Sequence, residues 1–508
     1  MKIFQGILKI SNGKIRDLIP GENNLRIILT DEGVEYDYGN SYAIPGLVDS
    51  HGHIAALGKK LNGLSLNDCN SAEECAITAT NYNALRGDWI VGSGWNQERW
   101  HDTSYPFIDI LDRYFPDNPV YLMRVDGHTC WVNSKALEIA GIDRFTPDPP
   151  GGTIEKDKSG NPTGILIDNA FLVVKKFIPQ HTLDQVESFI TDAINELSAN
   201  GLTEVHDMDI APELIPIYQK LNNENKLKLR IQSFITAQND EYIKHNIQVF
   251  NSKYYSIVGI KFYADGALGS HGAALNKPYR DKPSSLGLKL TDEKTLFEQA
   301  KIGLENSYQI ATHAIGDAAN RMVINIYKEL HKKKIADKTN RLRVEHAQII
   351  HPDDLSLFGE YGIIASVQPI HCFSDRDMAP KRLGTRESIS YPWRSLIRNG
   401  ALLLGGSDFP IESHNPFLGI KYFINREYLL NKEGQNTEEY ISIDDAYKAY
   451  NLNPHKTISI NPSRGEIREK MDADICVLNY NPYQMVTDLT PQKPIAVFCD
   501  GKITFQDN

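Results

Sequence analysis

The sequence predicts an α/β fold: a (β/α)8 TIM barrel, joined to a small β-sandwich domain built from both chain ends and carrying an inserted subdomain. Three observations predict it. Along the middle of the chain, apolar strand-like runs alternate with helix-like segments, as in QIATHAIG followed by DAANRMVINIYKELHKK and LRVEHAQII followed by HPDDLSLFGEYG. Such alternation marks βα units and a parallel sheet. The two ends read differently, as short strands broken by turns: Ser11-Asn12-Gly13 and Pro20-Gly21 near the start, then DADICVLNY and IAVFCDGKITF with a turn at Asp500-Gly501 near the finish. The third observation is the spacing of a few His, Lys and Asp residues that close the apolar runs.

A chain of 508 residues is too long for one small core. We expect residues 1–46 and 458–508 to form the composite β-domain and residues 47–457 the barrel, with an insertion within about 62–180. A hairpin-like piece, GGTIEKDKSGNPTGILI at 151–167, falls in that insertion. Apolar content of 41% and charged content of 23% are ordinary for a globular protein. The net charge of −11, with no basic run, argues against a nucleic-acid partner. No stretch approaches 18 apolar residues, so no membrane span is expected. The opening MKIFQGILKISNGKIRDLI alternates like a strand and lacks the apolar core of a signal peptide. Six cysteines, Cys69, Cys75, Cys130, Cys372, Cys476 and Cys499, form no C-x-x-C pair and read as scattered reduced thiols. A cytoplasmic protein acting on a small molecule, assembled as a homodimer, is the expectation.

The chemistry begins at AIPGLVDSHGH, where an apolar strand runs into His51-Gly52-His53. Residues i and i+2 of a strand share a face, so both imidazoles can point into a barrel at the C-terminal end of the strand, where barrel active sites lie. Two neighbouring imidazoles suit a Zn²⁺-type ion. By itself H-x-H is weak, since two turn histidines would look the same. Four further residues add to it: Lys261 in SIVGIKFYADGALGS, His313 in QIATHAIGD, His346 in LRVEHAQII and Asp408 in ALLLGGSDFPIESHNPF.

Their spacing fits a barrel of about 250 residues, or roughly 31 per βα unit. His313 to His346 is 346 − 313 = 33, one unit, and His346 to Asp408 is 408 − 346 = 62, two units. Lys261 to His313 is 52, one unit plus a long loop holding ALGSHGAALNKPYRDKPSSLG. His53 to Lys261 is 208, where three units need only about 93, which implies an insertion of roughly a hundred residues. The candidate ligands thus fall on strands 1, 4, 5, 6 and 8.

A lysine aimed into a barrel core is costly if charged, and desolvation lowers its pKa towards a neutral amine. Such an amine reacts with CO2 to give a carbamate (N6-carboxylysine), a carboxylate able to bridge two cations. On this reading His51, His53 and Asp408 hold one divalent ion, His313 and His346 hold another, and Lys261 links them. Asp408 takes the proton of a water that the metals activate as hydroxide against the substrate carbonyl.

The order H-x-H, Lys, His, His, Asp resembles the amidohydrolase superfamily. More narrowly, PGLVDSHGH, GSGWNQERW, RVDGHTCWVNSKAL, GGTIEKDKSGNPTGIL, KFYADGALGS, THAIGDAANR, RVEHAQ and SDFPIESHNPF resemble the amidohydrolase 3 group, which includes N-substituted formamide deformylases. The segments span nearly the whole chain. The resemblance implies a barrel, a β-domain from both ends, a metal centre and hydrolysis of non-peptide carbon–nitrogen bonds. Two departures stand out: His271-Gly272 follows GALGS where relatives often carry Arg-Thr, and Glu469-Lys470-Met471-Asp472-Ala473-Asp474 replaces a Gly-Lys-x-Ala-Asp run.

Substrate contacts are expected from Trp95, His128, Tyr263 and Gln368. Each has a plainer alternative: Trp95 and Trp131 as core or lid packing, His128 as a loop histidine, Tyr263 as barrel filling, Gln368 as the end of a strand. Asp265-Gly266 reads as a turn, and Cys372 has no activating neighbour in sequence. Of the unassigned His101, His206, His371 and His414, His206 in GLTEVHDMD is expected nearest the site. The expected reaction is metal-dependent hydrolysis of an amide-like C–N bond, of the N-substituted formamide or N-acyl amine type. Rivals are a deaminase or cyclic amide or lactone hydrolase on the same scaffold, a single-metal enzyme with unmodified Lys261, and a non-catalytic barrel.

Overall fold

The computed structural model describes residues 3–21, 24–82, 87–426, 437–458, 462–487 and 492–507. The chain divides into two compact units, residues 1–57 with 191–508, and residues 58–190.

The first unit contains eight parallel strands in one sheet, labelled here β1 (Leu47–Gly52), β2 (Leu202–Ile210), β3 (Arg230–Thr236), β4 (Tyr255–Tyr263), β5 (Gln309–Ala314), β6 (Arg343–His346), β7 (Ile364–Val367) and β8 (Leu402–Gly405), paired in that order. Strands β3 and β6 are buried at every position, although β6 carries Arg343, Glu345 and His346. The sheet closes just past β8, where Gly52 bridges Phe409 in parallel register. Asp408 N–H donates to His51 O at 2.7 Å and His53 N–H to Phe409 O at 2.9 Å. The result is a (β/α)8 barrel.

The crossover helices follow the apolar periodicity of their sequences. Helix Asp317–Lys332 buries Val323, Tyr327 and Leu330, three or four residues apart, on one stripe. Its Tyr327 hydroxyl donates to Thr312 Oγ1 at 2.7 Å, tying the helix to β5. After β4 the chain runs from 264 to 292 without helix or strand. The Asp265 carboxylate anchors this loop, accepting from Ala274 N, Ile315 N and Gly316 N at 2.8–2.9 Å. What reads as a turn dipeptide is therefore a buried clamp.

Two four-stranded sheets accompany the barrel in the same unit. One is ordered Lys14–Pro20, Gly6–Ser11, Leu25–Leu29, Val34–Asp37; the other Lys502–Gln506, Ala496–Cys499, Ile475–Leu478, Tyr42–Pro45. Leu8, Ile27, Ala43, Ile475, Val477 and Phe498 from both ends of the chain share one apolar core. The departure at 469–474 lies here and is held by ion pairs, Lys14 to Asp472 at 2.6 Å and buried Arg230 to Asp474 at 3.1 Å.

The second unit has its own six-stranded sheet, in which Gly152–Lys156 and Pro162–Asp168 pair as a hairpin at one edge. Its core is built on Trp95, Trp100 and Trp131. All six cysteines are buried and outside any disulfide. Among the described residues, no helix is long and apolar enough to cross a membrane.

Candidate metal centre

The barrel gathers all six candidate ligands within its first unit. His51 lies at the end of β1 and His53 follows it, on one face as the two-residue period requires; their ring centroids are 5.7 Å apart. Lys261 on β4 places Nζ 3.2 Å from His51 Nε2. His313 on β5 and His346 ending β6 meet edge to face at 4.4 Å, and His346 lies 5.1 Å from the His51 ring. Asp408 follows β8, its Oδ1 3.1 Å from His53 Nε2 and 3.6 Å from His51 Nε2. His51, His346 and Asp408 each bring one ligand atom within 4.8 Å of the others. This triplet takes members from both of the ion-binding groups expected from sequence.

The backbone is strained where candidate ligands sit. His346 has φ +71°, the following Ala347 +42° and Asp408 +60°. Left-handed conformations cost non-glycine residues on the order of 1–3 kcal/mol each and persist only where the surroundings enforce them.

Electrostatics keep three of the imidazoles neutral, while His53, opposed by burial, is raised by its hydrogen bond to Asp408. Burial, then the Lys261 charge, lowers the His51 pKa to about 4 and the His313 pKa to about 3. Burial and the neighbouring His313 push His346 well below its ordinary value. Burial also lowers Lys261, against the pull of Glu345, Asp408 and Asp209. Burial raises Asp408, yet hydrogen bonds from His371 and His53 outweigh it and hold that carboxyl well below the usual range. Neutral imidazoles and an ionised carboxylate are the states in which these groups bind cations. His313 Nε2 and His346 Nδ1 are buried and lack a hydrogen-bond partner. Such orphaned nitrogens fit a metal-binding role.

Several site residues escape the sequence. His371, in the short helix Pro369–Ser374 after β7, sets Nε2 3.4 Å from Asp408 Oδ2 and Nδ1 3.4 Å from Glu412 Oε1. Burial opposes its charge, but those two carboxylates raise its pKa to about 10. Glu345 accepts from His51 Nδ1 at 2.7 Å. Asp209, just after His206 on β2, hydrogen-bonds Tyr263 and acts on the Lys261 charge. His206, expected nearest the site among the unassigned histidines, instead sits deeper in the barrel, 2.9 Å from Arg343; His371 is the one that reaches the cluster.

The expected substrate contacts separate. Tyr263 is half-buried, its ring 5.0 Å from Lys261 Nζ and 5.4 Å from the His313 ring. Gln368 is buried and turns its amide back to Ser366 O at 3.5 Å. His128, in the second unit, is exposed and pairs with Asp168 at 2.8 Å. Trp95 is corrected: it is wholly buried in the second unit's core, its indole N–H on Leu122 O at 2.8 Å and its ring 6.0 and 6.3 Å from Trp100 and Trp131. It has no surface to offer a substrate.

Imidazoles, a lysine and a carboxylate converging where parallel barrel strands end define a barrel hydrolase. The comparisons agree: the model of the Amidohydrolase family matches residues 35–505, and this chain belongs to that family. It is 33% identical to the putative amidohydrolase YtcJ of Bacillus subtilis (strain 168), over 89% of this chain and 86% of that one. It is 22% identical to an N-substituted formamide deformylase of Arthrobacter pascens, over 98% and 94%. Among solved structures, an uncharacterized metal-dependent hydrolase from Pyrococcus furiosus superposes with a TM-score of 0.76 at 22% identity, covering 95% of this chain and 99% of that one.

Proposed function

We propose that this hydrolase cleaves an amide-like C–N bond in a small molecule, of the N-substituted formamide or N-acyl amine type, with divalent zinc. The observation that carries the reading is the convergence of His51, His346 and Asp408 ligand atoms within 4.8 Å. The formamide type is supported by the name of the Arthrobacter pascens relative. His51, His53, His313, His346 and Asp408 would hold the metal, one or two ions per chain. Bound there, it supplies Lewis acidity and makes water a stronger acid. Asp408 accepts the proton of the attacking water at a carboxylate oxygen and returns it to the departing amine nitrogen. His371 holds the Asp408 Oδ2 side, and Tyr263 lines the approach to Lys261. The balance is one amide and one water giving one amine and one carboxylic acid.

Lys261 is proposed as the site of an N6-carboxylysine: its amine adds CO2 and releases a proton. Only 1% exposed, the side chain favours the neutral amine this needs. Six buried cysteines outside any disulfide support a reducing, cytoplasmic setting.

The test is a substrate panel of N-substituted formamides, N-acyl amines, cyclic amides, lactones and amino-heterocycles with zinc-loaded protein. Amine and acid release from the first two classes, lost in Asp408→Asn, is expected. Ammonia release from amino-heterocycles alone would replace the reading by a deaminase.

A further inference from the structure

The barrel axis holds a column of buried charges that the hydrolysis itself does not use. Its upper end is Glu345, whose Oε2 accepts from His51 Nδ1 at 2.7 Å. Arg343 Nε donates to Glu345 Oε1 at 2.8 Å, and Arg343 Nη1 donates to His206 Nδ1 at 2.9 Å. Beyond it, His206 Nε2 lies 3.5 Å from Glu204 Oε1. Glu204 also faces His455 Nδ1 at 3.5 Å and accepts from Arg464. Glu204, His206, Arg343 and Glu345 are all 0% exposed. Glu204 pairs with Val48 near the start of β1, whereas His51 lies at its end, so the column runs along the strands. Only Arg464 reaches towards solvent, with 18% of its side chain exposed.

Donor chemistry orders this column. A guanidinium only donates, so His206 Nδ1 is the acceptor and its proton sits on Nε2, facing Glu204. Arg343 Nε sits 2.8 Å from Glu345 Oε1, a buried ion pair that makes this carboxyl an acceptor on its other oxygen. An ionised carboxylate only accepts, so His51 carries its proton on Nδ1. That leaves the lone pair on Nε2, the nitrogen that faces Lys261 and Asp408. The same guanidinium donates through Nη2 to Ser50 O at 2.8 Å, the carbonyl next to His51, and to Ser366 Oγ at 3.1 Å. One buried arginine therefore grips β1, β2 and β7 from β6, and holds His51 by both backbone and side chain. Removing a buried ion pair of this kind wholesale for apolar residues is often harmless to stability, which leaves stability alone a weak reason for its presence.

We infer that Arg343 and Glu345 are positioning residues that set the ring orientation and tautomer of His51 for metal binding, and that the column through His206, Glu204 and Arg464 extends this control to the opposite end of the barrel. The inference rests on the metal reading given above.

The experiment measures Zn²⁺ affinity of full-length, metal-free protein by competition with a chromophoric chelator, alongside a ¹⁵N-histidine spectrum reporting ring tautomers. Glu345→Gln and Arg343→Lys are expected to weaken zinc binding by about 10–100-fold and to abolish the Nδ1–H preference of His51. Arg464→Gln, at the solvent end, is expected to fold normally and weaken zinc binding severalfold. Wild-type affinity and tautomer in the two central variants would overturn the inference while leaving the hydrolase reading intact. Should those variants fail to fold, Arg464→Gln decides: unchanged zinc affinity there overturns the long-range control. A wild-type chain that takes up no zinc removes the metal reading, and this inference with it.

Discussion

His371 is clamped between two carboxylates, its Nε2 3.4 Å from Asp408 Oδ2 and its Nδ1 3.4 Å from Glu412 Oε1. The two oxygens of Asp408 are thereby divided, Oδ1 towards His51 and His53 and Oδ2 towards His371. If the clamp orients the general base, His371→Phe should lower kcat by about 10²-fold. KM and zinc content should change little. A variant with wild-type kcat would show that Asp408 needs no such support.

Carboxylation of Lys261 predicts a bicarbonate requirement. Protein stripped of metal and CO2 should regain activity only when both zinc and bicarbonate are returned. With ¹³C-bicarbonate it should give a carbamate resonance that Lys261→Met lacks. Full reactivation by zinc alone under CO2-free conditions would leave Lys261 an unmodified amine.

Gly52 separates the two histidines of the closing seam, and a Cβ there would lie 2.2 Å from the Phe409 ring. That ring is wholly buried, so it must shift rather than swing into solvent. Gly52→Ala is expected to destabilise the fold by about 1–3 kcal/mol, as overpacking does. It should also loosen zinc binding, because the strand carrying His51 and His53 is displaced. Equilibrium urea unfolding with a parallel chelator titration measures both.

His206 makes stability depend on acid. Burial, only partly offset by Glu204, lowers its pKa from 6.5 to about 4 in the folded chain. Between those values the unfolded chain binds a proton that the folded chain refuses, so stability falls as pH drops from about 6.5 to about 4. At 1.36 kcal/mol per pKa unit this is about 3 kcal/mol. His51 and His313 contribute in the same direction, so the difference between wild type and His206→Gln isolates the effect. The variant should lose less stability than wild type between pH 7 and pH 4, by urea unfolding at each pH. Equal losses would mean that His206 titrates normally.

The barrel and the clustering of the candidate ligands were readable because two regularities held. Strand period two put His51 with His53 and Lys261 with Tyr263, and unit spacing carried the register from His313 to His346 to Asp408. What escaped did so where those regularities end. Glu345 and His346 are neighbours and should face opposite ways from a strand, yet both approach His51, because the left-handed turn at His346 breaks the alternation. His371 belongs to a helix that begins after β7, where strand period says nothing of direction. Trp95 lies in GSGWNQERW, a segment of the resemblance, but it packs on Trp100 of that same segment and on Trp131, a distant residue that only the folded second unit brings to it. The tightest ligand triplet, too, depends on where the barrel closes, which spacing along the chain does not report.

That closure has a consequence for how the protein comes into being. His53 and Asp408 are 355 residues apart, and they meet only where the last barrel strand reaches the first. While the chain is being made, the early histidines must wait for nearly the whole remainder to emerge before their carboxylate partner exists. On the proposed ligand set, a chain that ends before Asp408 would offer a metal an incomplete set of donors. On the proposed ligand set, tight metal capture would mark a closed barrel, and the ion would latch the first barrel strand to the last.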